Sequence, residues 1–209
     1  MLLPTMNNNE VYNEITKDAD DIYKTIVSRY FRKNQSVLKN MRIKPYTIMV
    51  DTNIVTKRYN KVRLILVKGE NKELLCATIF KVTANNGSYR YYVLSANNII
   101  NVFTSHYMDR LLQRGGMTAK EFFRSVIKTA YRKKVNWNNK EIWVSVEANG
   151  ISISEFDGTF YTYLTFVSED MLYEEQDEFK KWFDENKEWL QCMKSEYLQE
   201  KINGLNFVA

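Results

Sequence analysis

The sequence predicts an α+β fold in which antiparallel β-meanders pack with an N-terminal helix, a central helix pair and a long C-terminal helix. Three observations carry that expectation. Apolar residues recur at three- and four-residue steps between Asn9 and Lys33, runs rich in β-branched and aromatic residues follow one another between turn residues, and the hairpin dipeptides Asn149-Gly150 and Asp157-Gly158 punctuate the second half.

In the first segment Val11, Ile15, Ala19, Ile22, Ile26 and Tyr30 form the stripe of an amphipathic helix, with a short helix continuing toward Asn40 until Pro45 breaks the pattern. Strands are expected at 46–50, 62–67, 74–82 and 89–94, with Gly69-Glu70-Asn71 and Asn85-Asn86-Gly87 supplying left-handed backbone for the reversals. Two helices follow, about 105–114 and 118–133. Gly115-Gly116 stops the first, and Thr118 with Glu121 has the spacing of a capping box at the second. EIWVSVE, GISISEF and TFYTYLTFV then read as a second meander. Phe179, Trp182, Phe183, Leu190, Met193, Tyr197 and Ile202 predict a closing helix over 176–202, read as a docked core helix or as a partner-binding one.

At 209 residues, with 44% hydrophobic and 14% aromatic residues and only 7 Gly and 2 Pro, one domain spanning 1–209 is expected. It divides into an N-terminal helix plus first meander (1–100), a core (103–168) and an acidic C-terminal helix (169–209). The start, MLLPTMNNNE, has no basic stretch followed by an apolar run, and no later stretch approaches ~18 apolar residues, so a cytoplasmic location without membrane association is expected. Cys76 and Cys192 lie in apolar strand-like and helical runs and read as buried small hydrophobes. With no CxxC spacing and a single His, no metal site and no cofactor is expected. Walker, GxSxG and HExxH patterns are absent, which leaves nucleotide hydrolysis, α/β-hydrolase and zinc-protease chemistry without support.

Charge is unevenly placed. Residues 169–209 hold 11 acids against 5 bases, so the remaining 25 bases and 14 acids make the body +11 and the tail −6. A body that basic fits a polyanion, and the tail could shield it in cis.

The segment FTSHYMDRLLQRGGMT (103–118) concentrates the candidate chemistry. At ~100° per residue, His106, Arg110, Gln113 and Arg114 share one side of a helix, while Tyr107, Met108, Leu111 and Leu112 cover the other. Ser105 can cap the first turn, and a neutral imidazole at a helix start can take a proton. Two arginines one and two turns on offer planar forks for phosphate oxygens. These are the parts of a metal-free ribonuclease site; the same spacing also suits a solvated face, with Arg110 paired to Asp109 or Glu121.

SHYMDRLLQRGGMTAKEF, followed by a meander ending in TFYTYLTFVSEDML, resembles the barnase, EndoU, colicin and RelE superfold of ribonuclease toxins, whose RelE branch often carries His-x3-Arg-x3-Arg-Gly on a helix. The match covers about 103–168. The resemblance implies His106 as general acid or base, Arg110 and Arg114 on phosphate, and Thr165 as a supporting or substrate contact; Gln113, on the same helix side, is a further candidate for a supporting contact. Gly115-Gly116 stands where such proteins more often have one Gly and an aliphatic residue, and residues 1–100 lie outside the match.

Basic stretches interleaved with aromatic residues add Arg29, Arg32 and Lys33 around Tyr30-Phe31, Lys57 and Arg58 before Tyr59, and Arg132, Lys133 and Lys134 near Trp137, a pairing suited to single-stranded nucleic acid. The expected function is a nucleic-acid-binding, metal-independent endoribonuclease of toxin type, with RNA or another nucleic acid as partner, in a bacterial or phage-infected cell. The alternative is a non-enzymatic interaction or structural protein of a phage or mobile element, engaging a protein partner or inhibitor. The lone histidine separates the two, because it leaves a second acid or base unassigned.

Overall fold

The computed structural model describes residues 1–172 apart from 41, 45–46, 70–72, 95–98, 117, 126–131, 138–139 and 148–149, together with Lys181 and Asp184. The chain is α+β, with nine strands and a few helices among the described residues. It forms two compact units: Met1–Ser105 with Lys120–Lys128 and Phe156–Thr162, and His106–Ala119 with Thr129–Glu155 and Tyr163–Ala209. The partition is not sequential.

In the first unit, α1 (Asn8–Ile22) starts at Asn7, whose side chain accepts from Glu10 N while Glu10 accepts from Asn7 N at 2.8 Å, a full capping box. The helix passes through one π-helical turn (Tyr23–Val27) into α2 (Ser28–Lys33), and α3 (Gln35–Lys39) follows. Strands β1 (Ile48–Val55), β2 (Lys61–Lys68), β3 (Leu74–Thr83), β4 (Tyr89–Leu94) and β5 (Ile100–Thr104) pair antiparallel in sequence order. Ile100 N donates to Thr159 O (3.0 Å), joining β5 to the start of β9 (Phe160–Ser168).

Strand period decides what covers this sheet. Val62, Leu64 and Leu66 of β2, with Phe80, Tyr92, Ile100 and Val102, close over Val11, Ile15, Ile22 and Val27 of the helix. Alternate residues point the other way, where α5 (Ala119–Ser125) sets Phe123 against Tyr91 (4.7 Å between ring centres) and Phe122 against Phe103 (4.9 Å). Both faces of β2 are therefore covered, which is why VRLILV is a continuous apolar run. On the α5 side Arg63 forks onto Asp51 at 2.8 and 3.0 Å and sits over the Phe123 ring; the Asp51 hydrogen bonds raise its already high pKa. Cys76 in β3 packs against the α1 side, and burial pushes its thiol up to about 11, consistent with a small hydrophobe.

A polar knot ties the β1–β2 turn to α1. Asp18, fully buried, accepts from Thr56 Oγ1 (2.7 Å) and Asn60 Nδ2 (2.6 Å), and Arg58 Nη1 stands 3.6 Å from its other oxygen. Arg58 also reaches Asp21 (3.3 Å) and Glu14 (3.8 Å). The hydrogen bond from the terminal ammonium, helped by Asn60 and Arg58, holds Glu14 below the usual carboxylate range. Tyr59 takes a left-handed conformation (φ 61°) to close the turn. Lys68, also buried, donates from Nζ to Asn40 O (2.8 Å) and Ile43 O, securing the end of α3.

The second unit contains β6 (Arg132–Trp137), β7 (Lys140–Glu147) and β8 (Gly150–Phe156 up to Glu155), paired antiparallel, with the Tyr163–Ser168 part of β9 beside β8. Ile142, Val144, Ile151 and Leu172 form its apolar cluster, joined by Val135, Ile153 and Val167. Gly150 pairs with Glu147 as the first residue of β8. A Cβ on Gly150 would lie 2.1 Å from Val167 O. The glycine expected to make a turn is required by close strand approach.

Two readings of the sequence change, and a third falls outside the described residues. The helix expected over 118–133 is α5, ending at Ser125 among the described residues, while Arg132 and Lys133 belong to β6, paired with Ser145 and Val144 of β7. The helix-favouring basic run yields to the ladder offered by the alternating β7 sequence. Strand β5 was not anticipated, because INVFT follows Ala96-Asn97-Asn98 without a hairpin signal. The helix expected over 176–202, and Cys192 within it, fall outside the described residues apart from Lys181 and Asp184.

Replacing Asp18 by Ala leaves Thr56, Asn60 and Arg58 without their shared acceptor. The expected cost is about 3–5 kcal/mol, read as a lower urea midpoint, with Asp18→Asn losing less.

Candidate functional site

Strand β5 runs straight into α4 (Ser105–Arg114), so the helix begins where the strand's ladder ends and His106 occupies its first turn. Tyr107, Met108 and Leu111 are buried, Leu112 is half-buried, and His106, Asp109 and Gln113 are exposed. Arg110 and Arg114 are half-buried, as long side chains lying along a surface with the guanidinium outward would be. Four-residue steps advance ~40° around the helix and ~6 Å along it, so His106, Arg110 and Arg114 form a shallow spiral about 12 Å long with Gln113 beside it.

The buried side fixes that orientation. Tyr107 is 0% exposed, its ring stands 5.2 Å from the Tyr163 ring, and its hydroxyl lies 2.9 Å from Ser152 Oγ of β8. Ser145, paired with Ser152 across β7–β8, is also buried, with no hydrogen-bond partner for its hydroxyl among the described residues. Small serine side chains leave room for a tyrosine ring where two isoleucines would not. At the far end Gly115 N donates to Leu111 O (2.7 Å), and a Cβ on Gly115 would meet that oxygen at 2.5 Å. Gly116 takes the left-handed conformation (φ 64°) that ends the helix. The glycine pair is thus used at both positions, the first for space and the second for backbone angle.

The remaining sequence candidates are distributed over both units. In the first, Arg29, Arg32 and Lys33 are exposed on α2, and Arg32 Nε donates to Ser28 O (3.3 Å). Lys57 is exposed in the β1–β2 turn, whereas neighbouring Arg58 is taken up by Glu14, Asp18 and Asp21. In the second, Thr165 is half-buried on β9, Lys134 is exposed on β6 and paired with Glu141 (2.7 Å), and Arg132 and Lys133 lie on β6. The structure gathers His106, Gln113, Arg110 and Arg114 on one helix face. Among the described residues no three His, Cys, Asp or Glu side chains could together hold a metal ion, and no helix is long and apolar enough to cross a membrane.

Sequence reasoning did not find the Tyr107–Ser152 contact, which supports the site from below. The signal was the pair of serines alternating with isoleucine in GISISEF, a polar stripe where a strand faces a partner able to use it.

Tyr107→Phe keeps the ring and removes the hydroxyl, leaving Ser152 buried without that partner. A loss of about 1–2 kcal/mol in urea unfolding is expected, and Tyr107→Phe/Ser152→Ala should recover part of it. Compared with known proteins, the chain matches no family model, no curated protein and no solved structure.

Proposed function

We propose that the chain binds nucleic acid and cleaves RNA without a metal ion, in the manner of the RelE-like ribonuclease toxins it resembles. The observation that carries this reading is α4: one exposed imidazole in the first turn and two arginines on the same side one and two turns on.

His106 takes the proton of a ribose 2′-hydroxyl as its oxygen attacks the adjacent phosphorus. The bond to the 5′ oxygen breaks, the leaving oxygen takes a proton from solvent water, and a 2′,3′-cyclic phosphate remains. Arg110 and Arg114 hold the non-bridging oxygens, whose charge rises as the fifth bond forms, and their planar forks favour that geometry. Gln113, exposed on the same helix face, is a further donor for ribose or phosphate, and Thr165 of β9 is a supporting contact. The basic body attracts a polyanion: Arg132, Lys133 and Lys134 are phosphate contacts within the unit of α4, and Arg29, Arg32, Lys33 and Lys57 are phosphate contacts within the first unit.

The test is incubation of total RNA and a labelled oligoribonucleotide with wild type and His106→Ala in EDTA. Wild type should yield fragments with cyclic or 3′-phosphate ends. His106→Ala should be slower by about 10²–10⁴ and Arg110→Ala by about 10²–10³. Intact RNA with every protein would replace this reading by a non-enzymatic interaction protein.

A further inference from the structure

From Ile22 to Val50 the chain carries seven bases and no acid: Lys24, Arg29, Arg32, Lys33, Lys39, Arg42 and Lys44. This segment covers the π-helical turn, α2 and α3. All four residues Tyr23, Lys24, Thr25 and Ile26 are exposed, a full turn presented to solvent, while Ile22 and Val27 on either side are buried. Tyr23 is 60% and Phe31 37% exposed, the larger rings of the segment that the core does not take; Tyr30 packs inward instead. Arg29, Lys33, Lys39 and Arg42 are exposed and have no acidic partner among the described residues.

We infer that this surface of the first unit is a holding site for single-stranded nucleic acid, with Tyr23 and Phe31 stacking on bases, Arg29 on the phosphates between them and Arg32 and Lys33 on the phosphates beyond Phe31. Eight residues of helix separate the two rings, a rise of about 12 Å, which is roughly three stacked nucleotides at 3.4 Å each. Rings and cations alternate along one helix, the combination that binds strands without reading their sequence. Charge complementarity selects a polyanion, and the apolar content selects among polyanions. A membrane-surface helix needs a continuous apolar arc to bury, and here that arc (Val11, Ile15, Ile22, Val27) already lies in the core, leaving two separated rings and Ile26 outside. The π turn, common at functional positions, adds one residue to the step after Ile22, so Val27 takes the buried position and Ile26 is left outside. The inference rests on the nucleic-acid binding in the proposed function, which it deepens, and not on the cleavage assigned to α4: the site holds strand whether or not α4 cuts.

The test is fluorescence anisotropy of a labelled oligouridine 12-mer with the full chain in EDTA, using His106→Ala as background so that the probe stays intact. Tyr23→Ala/Phe31→Ala should weaken binding on the order of tenfold per ring with unchanged circular dichroism and melting. Arg29→Ala/Arg32→Ala/Lys33→Ala should lower the slope of log affinity against log salt by about 2. Unchanged affinity in both variants overturns the inference. So does loss confined to the basic variant, which would reduce the surface to general electrostatics, and so does ring-dependent binding to phosphatidylserine–phosphatidylcholine vesicles without oligonucleotide binding. Binding that depends on Arg110 and Arg114 but not on the two rings also overturns it, while leaving the α4 reading intact. Ring-dependent binding together with intact RNA in the cleavage assay supports this inference and removes the cleavage reading alone.

Discussion

Everything that α4 offers to a ligand follows from the burial of one side chain. Tyr107 is enclosed, stacked near Tyr163 and hydrogen-bonded to Ser152, so the helix has one rotational setting about its axis. Rotating it by a single residue, about 100°, in one direction would put His106 where the buried Tyr107 lies, and in the other would turn the Tyr107 ring out to the exposed position of His106. The first would leave a buried imidazole to be paired, and the second would lose the burial of a large aromatic side chain. Met108 and Leu111 reinforce the same setting. The outward direction of His106, Arg110 and Arg114 is therefore a packing result first and a chemical arrangement second.

The first unit rests on a comparable division of labour between apolar and polar contacts. Burial of the α1 stripe against β2–β5 supplies most of its stability, at about 1.5–3 kcal/mol for each large side chain removed from water. Such contacts tolerate sliding. The Asp18 knot does not, because its Oδ2 accepts from Thr56 and Asn60 together only at one register of helix and turn. Specificity of this kind is what a buried polar group adds where a hydrophobic one would add more stability. It also explains why Arg58, which reads in the sequence as one more cation of a basic patch, is occupied inside the protein while Lys57 beside it remains exposed.

Periodicity made much of this legible. The α1 stripe and the two faces of α4 were readable because each helix buries one face and repeats at its own interval, and β2 because burial on both faces makes its run continuously apolar. What the sequence hid was set by distant contacts. Strand β5 carries no turn signal before it, β6 is a basic run that becomes a strand only through pairing with β7, and Gly150 is needed because β9 passes close by. The candidate site was legible as a face, since spacing alone places His106, Arg110 and Arg114 together. Its support was not, because Ser152 lies 45 residues from Tyr107 in the chain. Likewise the knot joins Asp18 to Asn60 across 42 residues, and nothing local to either announces it.

The chain has a single histidine, so its imidazole protons give resonances free of overlap. The most direct test of the central claim is to follow them by NMR while adding a nucleoside 3′-monophosphate, in wild type and in Arg110→Ala. A phosphate held on the α4 face predicts saturable movement of the His106 resonances in wild type, weakened several-fold in Arg110→Ala. Resonances that stay fixed while the nucleotide binds elsewhere, or while it does not bind at all, would contradict the assignment of α4 as the site.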